Sequence, residues 1–229
     1  MFRRREPSSS LQSMDKLTSH AMNRCMRCGT CCRKGGPVLH YEDMEILRCH
    51  HAEYAHLVTV RKGELTYNPV SNTIEQACQE MVKVAGKGDT WSCYFYREED
   101  SSCMIYEYRF LECRLLQCWN PADILAIIGR HTIRRSDVMN QNDPVLQIIE
   151  MHEKECPLLE LKGLIDEVSS GKQNKKALRM LSRLVQKDMA IRSSAFDELG
   201  LNPEYELFIF GRPVKNILRD AGLTVKTKE

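Results

Sequence analysis

The stretch Cys25-Met-Arg-Cys28-Gly-Thr-Cys31-Cys32 places four thiols within eight residues. Thiolates are soft ligands for zinc, copper(I) and iron–sulfur clusters, and a Cys-x2-Cys fork presents two sulfurs to one metal ion. Buried cysteines that act only as small hydrophobic residues are rarely spaced so closely. Gly29, directly after the fork, is expected where the backbone needs a positive φ or a close approach. The spacing therefore predicts a metal centre around which the chain is organised.

A second group of cysteines, without a Cys-x2-Cys fork, occurs between residues 93 and 118. These side chains can share a metal only if folding brings them together. Side chains of adjacent residues diverge in helices and strands, so Cys31 and Cys32 are expected to serve two centres, or one of them is a spare. Eight thiols divide into two sets of four, which suits tetrahedral zinc or a four-thiolate cluster. The predicted metal ligands are Cys25, Cys28, Cys31, Cys32, Cys93, Cys103, Cys113 and Cys118.

The spacing of the first block favours an iron–sulfur cluster of the 4Fe–4S type over zinc. Cys-x2-Cys-x2-Cys resembles the start of a bacterial cluster-binding run, whereas structural zinc prefers two separated forks. Zinc remains the alternative. The sequence contains no nucleophile elbow, dinucleotide fingerprint or His-Glu-x-x-His motif, so it gives no support to an ordinary hydrolase or dehydrogenase. The substrate and the reaction, if there is one, are left open.

Bulk composition limits the classes of partner. Charged residues make up 28% of the chain and the net charge is +2, which gives no electrostatic case for binding nucleic acid. No apolar run approaches the roughly 20 residues that span a bilayer. Polar residues follow Arg3, Arg4 and Arg5 where a secretory signal would be apolar, so we expect a reducing, cytoplasmic location. Eleven cysteines in that compartment favour metal binding over disulfides, and the expected partner is an unidentified protein.

Patterning predicts an α+β fold with a disordered tail at 1–18, a cysteine-cluster domain at 19–128 and a mainly helical region at 129–229. β-rich runs at 57–60 and 65–67 predict one hairpin, and runs at 91–96 and 103–106 predict another that brings Cys93 and Cys103 together. Apolar residues at helical spacing predict amphipathic helices over 158–168 and 175–196. We interpret 207–210 as helix rather than strand.

Several further residues could bind metal but lack a paired fork. Cys49, His50 and His51 are interpreted as a helix end with solvated histidines. Cys156, directly before a proline, is interpreted as a core cysteine at a helix start. The sequence assigns no role to Cys78.

The combined cysteine pattern resembles the CxxCxxCC family, a bacterial family of eight-cysteine zinc- or iron-chelating proteins. The residues that carry the resemblance are the first block, Cys93, Cys103-Met-Ile-Tyr-Glu-Tyr-Arg109 and Glu112-Cys113-Arg114. The resemblance spans about residues 21–120. It implies metal chelation by the first seven predicted ligands, with Cys118 as the eighth. Phe110 stands where the family usually has proline, which affects the local turn and not the ligands.

These observations support three hypotheses about function. The first is an iron–sulfur protein in electron transfer or in an unassigned redox or transfer reaction. Flagellin lysine methylases contain a similar cysteine motif, which makes a cluster-dependent methyl transfer conceivable by analogy. The alternatives are a zinc-stabilised interaction module, whose helical half is the partner surface, and a metal-handling protein without catalysis.

Overall fold

The computed structural model describes residues 25–88, 90–170 and 174–225, so the predicted tail at 1–18 lies outside the described residues. The strands are β1 (Leu57–Val60), β2 (Leu65–Asn68), β3 (Thr73–Gln76), β4 (Met81–Val84), β5 (Tyr96–Arg97) and β6 (Ser102–Cys103). The helices are α1 (Thr30–Arg33), α2 (Met44–Arg48), α3 (Leu111–Leu115), α4 (Ala122–Ile127), α5 (Arg135–Val138), α6 (Val145–Glu155), α7 (Leu161–Ser169), α8 (Lys175–Asp197), α9 (Glu206–Phe210) and α10 (Val214–Asp220). Short strands precede long helices, which confirms the α+β prediction.

The strands form three separate antiparallel pairs: β1 with β4, β2 with β3, and β5 with β6. All four residues of β1 are buried, as expected for a strand that is covered on both faces. In the β2–β3 ribbon, β2 is mostly half-buried and β3 is mostly exposed. The β5–β6 pair forms around the predicted loop but is much shorter than the predicted hairpin: it sets Cys103 directly opposite Tyr96, and Cys93 lies outside β5.

The hairpin predicted between 57–60 and 65–67 is wrong, because β1 pairs with β4, with Leu57 opposite Val84. Gly63 has φ 87°, and the Glu64 amide donates to the Arg61 carbonyl at 3.0 Å, so the chain turns sharply after β1. β2 therefore pairs with β3 and does not run back alongside β1. Local β-propensity predicted the two runs correctly but not their partners.

The helical region follows local sequence signals more closely. The Asn174 side chain caps α8 by accepting hydrogen bonds from the Lys176 and Ala177 amides, each at 3.1 Å. Along α8, Leu181 and Val185 are fully buried and pack with α7 and α10. The predicted helices over 158–168 and 175–196 are confirmed with small shifts, and 207–210 is helical as interpreted. No helix in the described part of the chain is both long and apolar enough to cross a lipid bilayer.

One apolar core joins the strands to the helices. It contains Leu57, Val82 and Phe95 from the cysteine-rich half and Phe208 and Phe210 from α9. The Thr59 hydroxyl on β1 also donates to the Phe208 carbonyl at 2.6 Å. Packing is therefore continuous across residues 128 and 129, where the sequence predicts the boundary between two regions.

Buried ion pairs cross the same interface. Arg61, which is fully buried beside β1, donates to both carboxylate oxygens of Glu153 on α6, at 2.8 and 3.0 Å. Arg135 contacts Glu153 at 2.7 Å and Glu80 at 2.6 Å. Glu153 and Glu80 together thus neutralise two buried guanidinium groups, and Glu153 ties the helical half to the sheet.

Gly211, at the end of α9, is expected to tolerate no side chain. Its φ of 67° and ψ of −166° lie in a region essentially restricted to glycine, and a Cβ would lie 2.7 Å from the Thr59 carbonyl. Gly211→Ala should therefore lower the free energy of unfolding by roughly 1–3 kcal/mol in urea titrations. Gly163→Ala, in open space on α7, is the control and should be neutral or stabilising. Equal stability of the two variants would contradict this account of the α9–β1 contact.

Candidate metal centre

The first cysteine block ends in the one-turn helix α1, which carries Cys31 and Cys32. Gly29 precedes this helix with φ 72°, and a Cβ on it would overlap the Tyr96 hydroxyl group. Both conditions expected for this glycine, a positive φ and a close approach, are thus met. The missing side chain allows the block to lie flat against the Tyr96 ring.

Two hydrogen bonds attach the first block to the residues around Cys93, and a third fixes Arg33 within the first block. Arg33 donates from one guanidinium nitrogen to the Tyr96 hydroxyl and from the other to the Cys28 carbonyl, each at 2.8 Å. The Cys93 amide donates to the Cys32 carbonyl, also at 2.8 Å. Backbone contact therefore joins thiols that are 61 residues apart in the chain.

Three cysteines of the second group, Cys93, Cys103 and Cys113, are each held by a different part of the fold. Cys93 lies in the core, in an isolated β-bridge with Gly86. Cys103 lies on β6, and Cys113 lies on α3. Because these elements are rigidly packed, the positions of the three sulfurs are fixed by the fold and not by local sequence.

A polar network positions α3 and therefore Cys113. Asp43, which is fully buried, accepts hydrogen bonds from the Leu111 amide at 2.7 Å and from the His40 amide at 3.0 Å. Glu112 accepts from the Val38 amide at 2.8 Å, and its other oxygen lies 3.4 Å from His40 Nε2. Burial opposes charging of His40, but the Glu112 carboxylate outweighs it and raises the pKa of His40. Sequence reasoning missed Asp43 and His40, since an acid before a helix predicts only a local cap.

The adjacent sulfurs of Cys31 and Cys32 lie 3.9 Å apart, contrary to the expectation that they diverge. The Cα–Cβ bonds of neighbours do diverge, but each sulfur is one bond further out and rotation about χ1 brings both to one side. Tetrahedral zinc, with zinc–sulfur bonds of about 2.3 Å, holds its sulfurs about 3.8 Å apart. This pair therefore fits two ligand positions of one metal centre.

Thiols of the two cysteine groups influence one another's pKa. Burial raises the pKa of Cys113, and the charges of Cys93, Cys103 and Cys31 raise it further. The Cys31–Cys32 hydrogen bond lowers the pKa of Cys31 and raises that of Cys32. Each thiol of the set lies close enough to at least one other to change its pKa. We call this set the thiol cluster: Cys28, Cys31, Cys32, Cys93, Cys103 and Cys113.

The other two predicted ligands lie exposed outside the thiol cluster. The Cys25 sulfur accepts a hydrogen bond from the Arg27 amide at 3.4 Å. Cys118 lies beyond α3 in the turn between Gln117 and Asn120. Their part in metal binding stays a prediction. Cys49, His50 and Cys78 are exposed, as is expected of solvated side chains, whereas His51 is half-buried and stacks on the Tyr108 ring.

Cations border the thiol cluster, as expected where thiolates accumulate charge. The charge of Arg109 lowers the pKa of Cys103, although burial has the larger, raising effect. The Lys83 ammonium, which the sequence did not single out, acts in the same way on Cys93. Arg114, by contrast, places a guanidinium nitrogen 3.8 Å from a carboxylate oxygen of Asp43 and so pairs with that acid. The donors and their surroundings therefore fit a metal centre: bound metal replaces the thiol protons, and nearby cations offset the remaining negative charge.

Gly29→Ala is expected to weaken metal retention and to lower the melting temperature, because a Cβ would push the first block off Tyr96. Gly129→Ala is a matched control, since Gly129 has nearly the same φ, 71°, but open space around it. Both variants should lose roughly 1–2 kcal/mol to backbone strain, and only Gly29→Ala should also lose metal. Metal content after gel filtration and thermal melts measure the difference. Equal metal content in the two variants would show that the Tyr96 contact does not support the site.

Comparison with known proteins agrees with metal chelation in the cysteine-rich part of the chain. Residues 24–127 match the model of the CxxCxxCC family, described as a putative zinc- or iron-chelating domain. The matched span contains all eight predicted ligands and ends with α4. No curated protein and no solved structure matches the chain. Residues 24–127, just under half of the chain, are therefore similar to the CxxCxxCC family, whose domain is described as putatively zinc- or iron-chelating.

Proposed function

We propose that this protein is a cytoplasmic metalloprotein that holds an iron–sulfur cluster in its thiol cluster and uses it in electron transfer or in a redox or transfer reaction. The observation that carries the proposal is the convergence of thiols from both cysteine groups around α1, β6 and α3. Such a centre cannot form in the unfolded chain, so metal binding contributes directly to folding.

The spacing of the sulfurs favours a cluster over a single ion. In the described residues, His152, Cys156 and Asp188 form the only set of three or more ligand atoms within 4.8 Å of one another. No three sulfurs of the thiol cluster therefore lie within 4.8 Å of one another, whereas the sulfurs around one zinc ion are ~3.8 Å apart. A cluster of several iron and sulfide ions occupies such a wider space.

The position of the centre suits exchange of electrons with a partner. Cys28 and Cys31 are exposed, whereas Cys93 is buried, so the thiol cluster extends from the core to the surface. Electron transfer needs this proximity to the surface, and the proposed partner is another protein.

Anaerobic purification followed by an optical spectrum and elemental analysis tests the proposal. A brown protein with broad visible absorbance, containing iron and acid-labile sulfide, is the expected result. A colourless protein that contains zinc and no iron would refute it.

A zinc-stabilised interaction module is the second candidate, and the 3.9 Å separation of the Cys31 and Cys32 sulfurs favours it. In that case the helical half is the proposed partner surface, and zinc should exchange slowly with a chelator. Rapid exchange would instead indicate a protein that delivers a labile ion.

A further inference from the structure

A second group of metal-ligand atoms lies in the helical half, outside the matched domain. His152 lies on α6, Cys156 directly follows α6, and Asp188 lies on α8. All three residues are fully buried, and one ligand atom of each lies within 4.8 Å of the others. Because His152 and Cys156 are four residues apart, they share one face at the end of the helix.

The hydrogen bonds of Asp188 decide the orientation of the His152 ring. Asp188 Oδ1 lies 2.7 Å from His152 Nε2 and accepts from Arg192 Nε at 3.0 Å, and Oδ2 accepts from the Val214 amide at 2.9 Å. A carboxylate that accepts from these donors is an acceptor toward the histidine as well. Nε2 therefore carries the ring proton, and Nδ1 carries a free lone pair.

That lone pair is buried and unused. His152 Nδ1 has no hydrogen-bond partner among the described residues. A buried polar atom without a partner is destabilising, and an ion or a water is a usual explanation. Proteins commonly present histidine to a metal in this way, with a carboxylate holding the opposite ring N–H.

The charge balance around His152 and Cys156 permits a cation to bind there. Arg61 donates to the Cys156 carbonyl but is neutralised by Glu153. Arg192 lies against Asp188 and is paired with Glu206 at 2.9 Å. With both arginines paired, the carboxylate of Asp188 and the thiolate of Cys156 remain to balance a bound positive ion.

We propose that His152 and Cys156, oriented by Asp188, form a second metal site for one thiophilic d10 ion, Cu⁺ or Zn²⁺. Imidazole and thiolate are ligands that both ions accept. Cu⁺ is satisfied by these two ligands, whereas Zn²⁺ would need Asp188 to leave Nε2 and become a third ligand. The site is separate from the thiol cluster and does not depend on the identity of the metal there.

The test loads the full chain, under anaerobic reducing conditions, with either Zn²⁺ or Cu⁺ and counts bound ions by native mass spectrometry. Cys156→Ala should bind one ion fewer per chain than wild type in the arm that supplies the ion bound by the second site. Cys78→Ala, which removes an exposed thiol outside both sites, is the control and should bind the wild-type number. Wild-type stoichiometry for Cys156→Ala in both arms would overturn the proposal.

A second measurement requires no variant of the buried core. In the wild-type chain labelled with ¹⁵N-histidine, loading should shift the Nδ1 resonance of the histidine whose Nε2–H is protected by Asp188. An unshifted resonance in both arms would overturn the proposal. Failure here is distinct from failure of the proposed function, because Cys93→Ser should empty the thiol cluster and leave this second ion bound.

Discussion

Cys93→Ser is expected to remove metal from the thiol cluster and to lower the melting temperature more than any other single thiol replacement in the cluster. Cys93 lies where the two cysteine groups meet: its sulfur is buried in the core and its amide bonds to Cys32. A serine hydroxyl is a hard donor that soft metals bind poorly. Metal at about 1,000 times its dissociation constant stabilises the native state by about 4 kcal/mol, and losing this shifts the melting temperature by roughly 8–16 °C.

Metal analysis and thermal melts of purified protein measure both effects. Cys78→Ser, at an exposed thiol outside both cysteine groups, is the matched control and should keep its metal. After chelation under reducing conditions, wild type and Cys93→Ser should differ much less than they do when loaded. Cys28→Ser should change metal content and stability in the same direction. If Cys93→Ser or Cys28→Ser retained wild-type metal content, the ligand assignment would fail.

Glu153→Gln is expected to produce the largest loss of stability among changes outside the metal centre. The substitution deprives fully buried Arg61 of its carboxylate partner and weakens the neutralisation of Arg135. Removing one partner of a buried ion pair costs about 3–5 kcal/mol, because the remaining charge stays buried. Urea unfolding monitored by circular dichroism should show this as a lower midpoint with an unchanged slope.

Glu155→Gln is the matched control on the same helix. Glu155 also forms an ion pair, with Lys187 at 2.5 Å, but both side chains are largely exposed. Surface pairs of this kind contribute about 0–1 kcal/mol. Similar losses in the two variants would show that burial of Arg61 does not set the cost.

The same glutamate should make stability depend on acid pH. Burial raises the pKa of Glu153, but the hydrogen bonds and charges of Arg61 and Arg135 outweigh it and hold the pKa below its usual value. A lowered folded-state pKa means that the stabilisation is complete above the unfolded-state pKa of about 4.3. It is lost as pH falls through the folded-state value. Unfolding curves between pH 3 and 6 should show a shallower pH dependence in Glu153→Gln, and equal pH dependence would contradict this role.

The sequence by itself determined the features that depend on near neighbours. Four thiols within eight residues predicted metal chelation, and the matched family agrees. The leucine spacing of α8 and the loop between β5 and β6 specified a helix and a hairpin, since the residues that form each element are adjacent in the chain.

Only the tertiary structure decided which of these parts meet. The pairing of β1 with β4, the hydrogen bond from Cys93 to Cys32 and the His152–Asp188 pair each join residues 21 or more positions apart. Such contacts leave no local periodicity, because their partners are selected by burial of the shared apolar core and by pairing of buried charge. The sequence therefore identified the candidate metal-binding cysteines, and long-range packing determined which of them converge. A side chain's neighbours in space depend on the whole core and not on its neighbours in the chain.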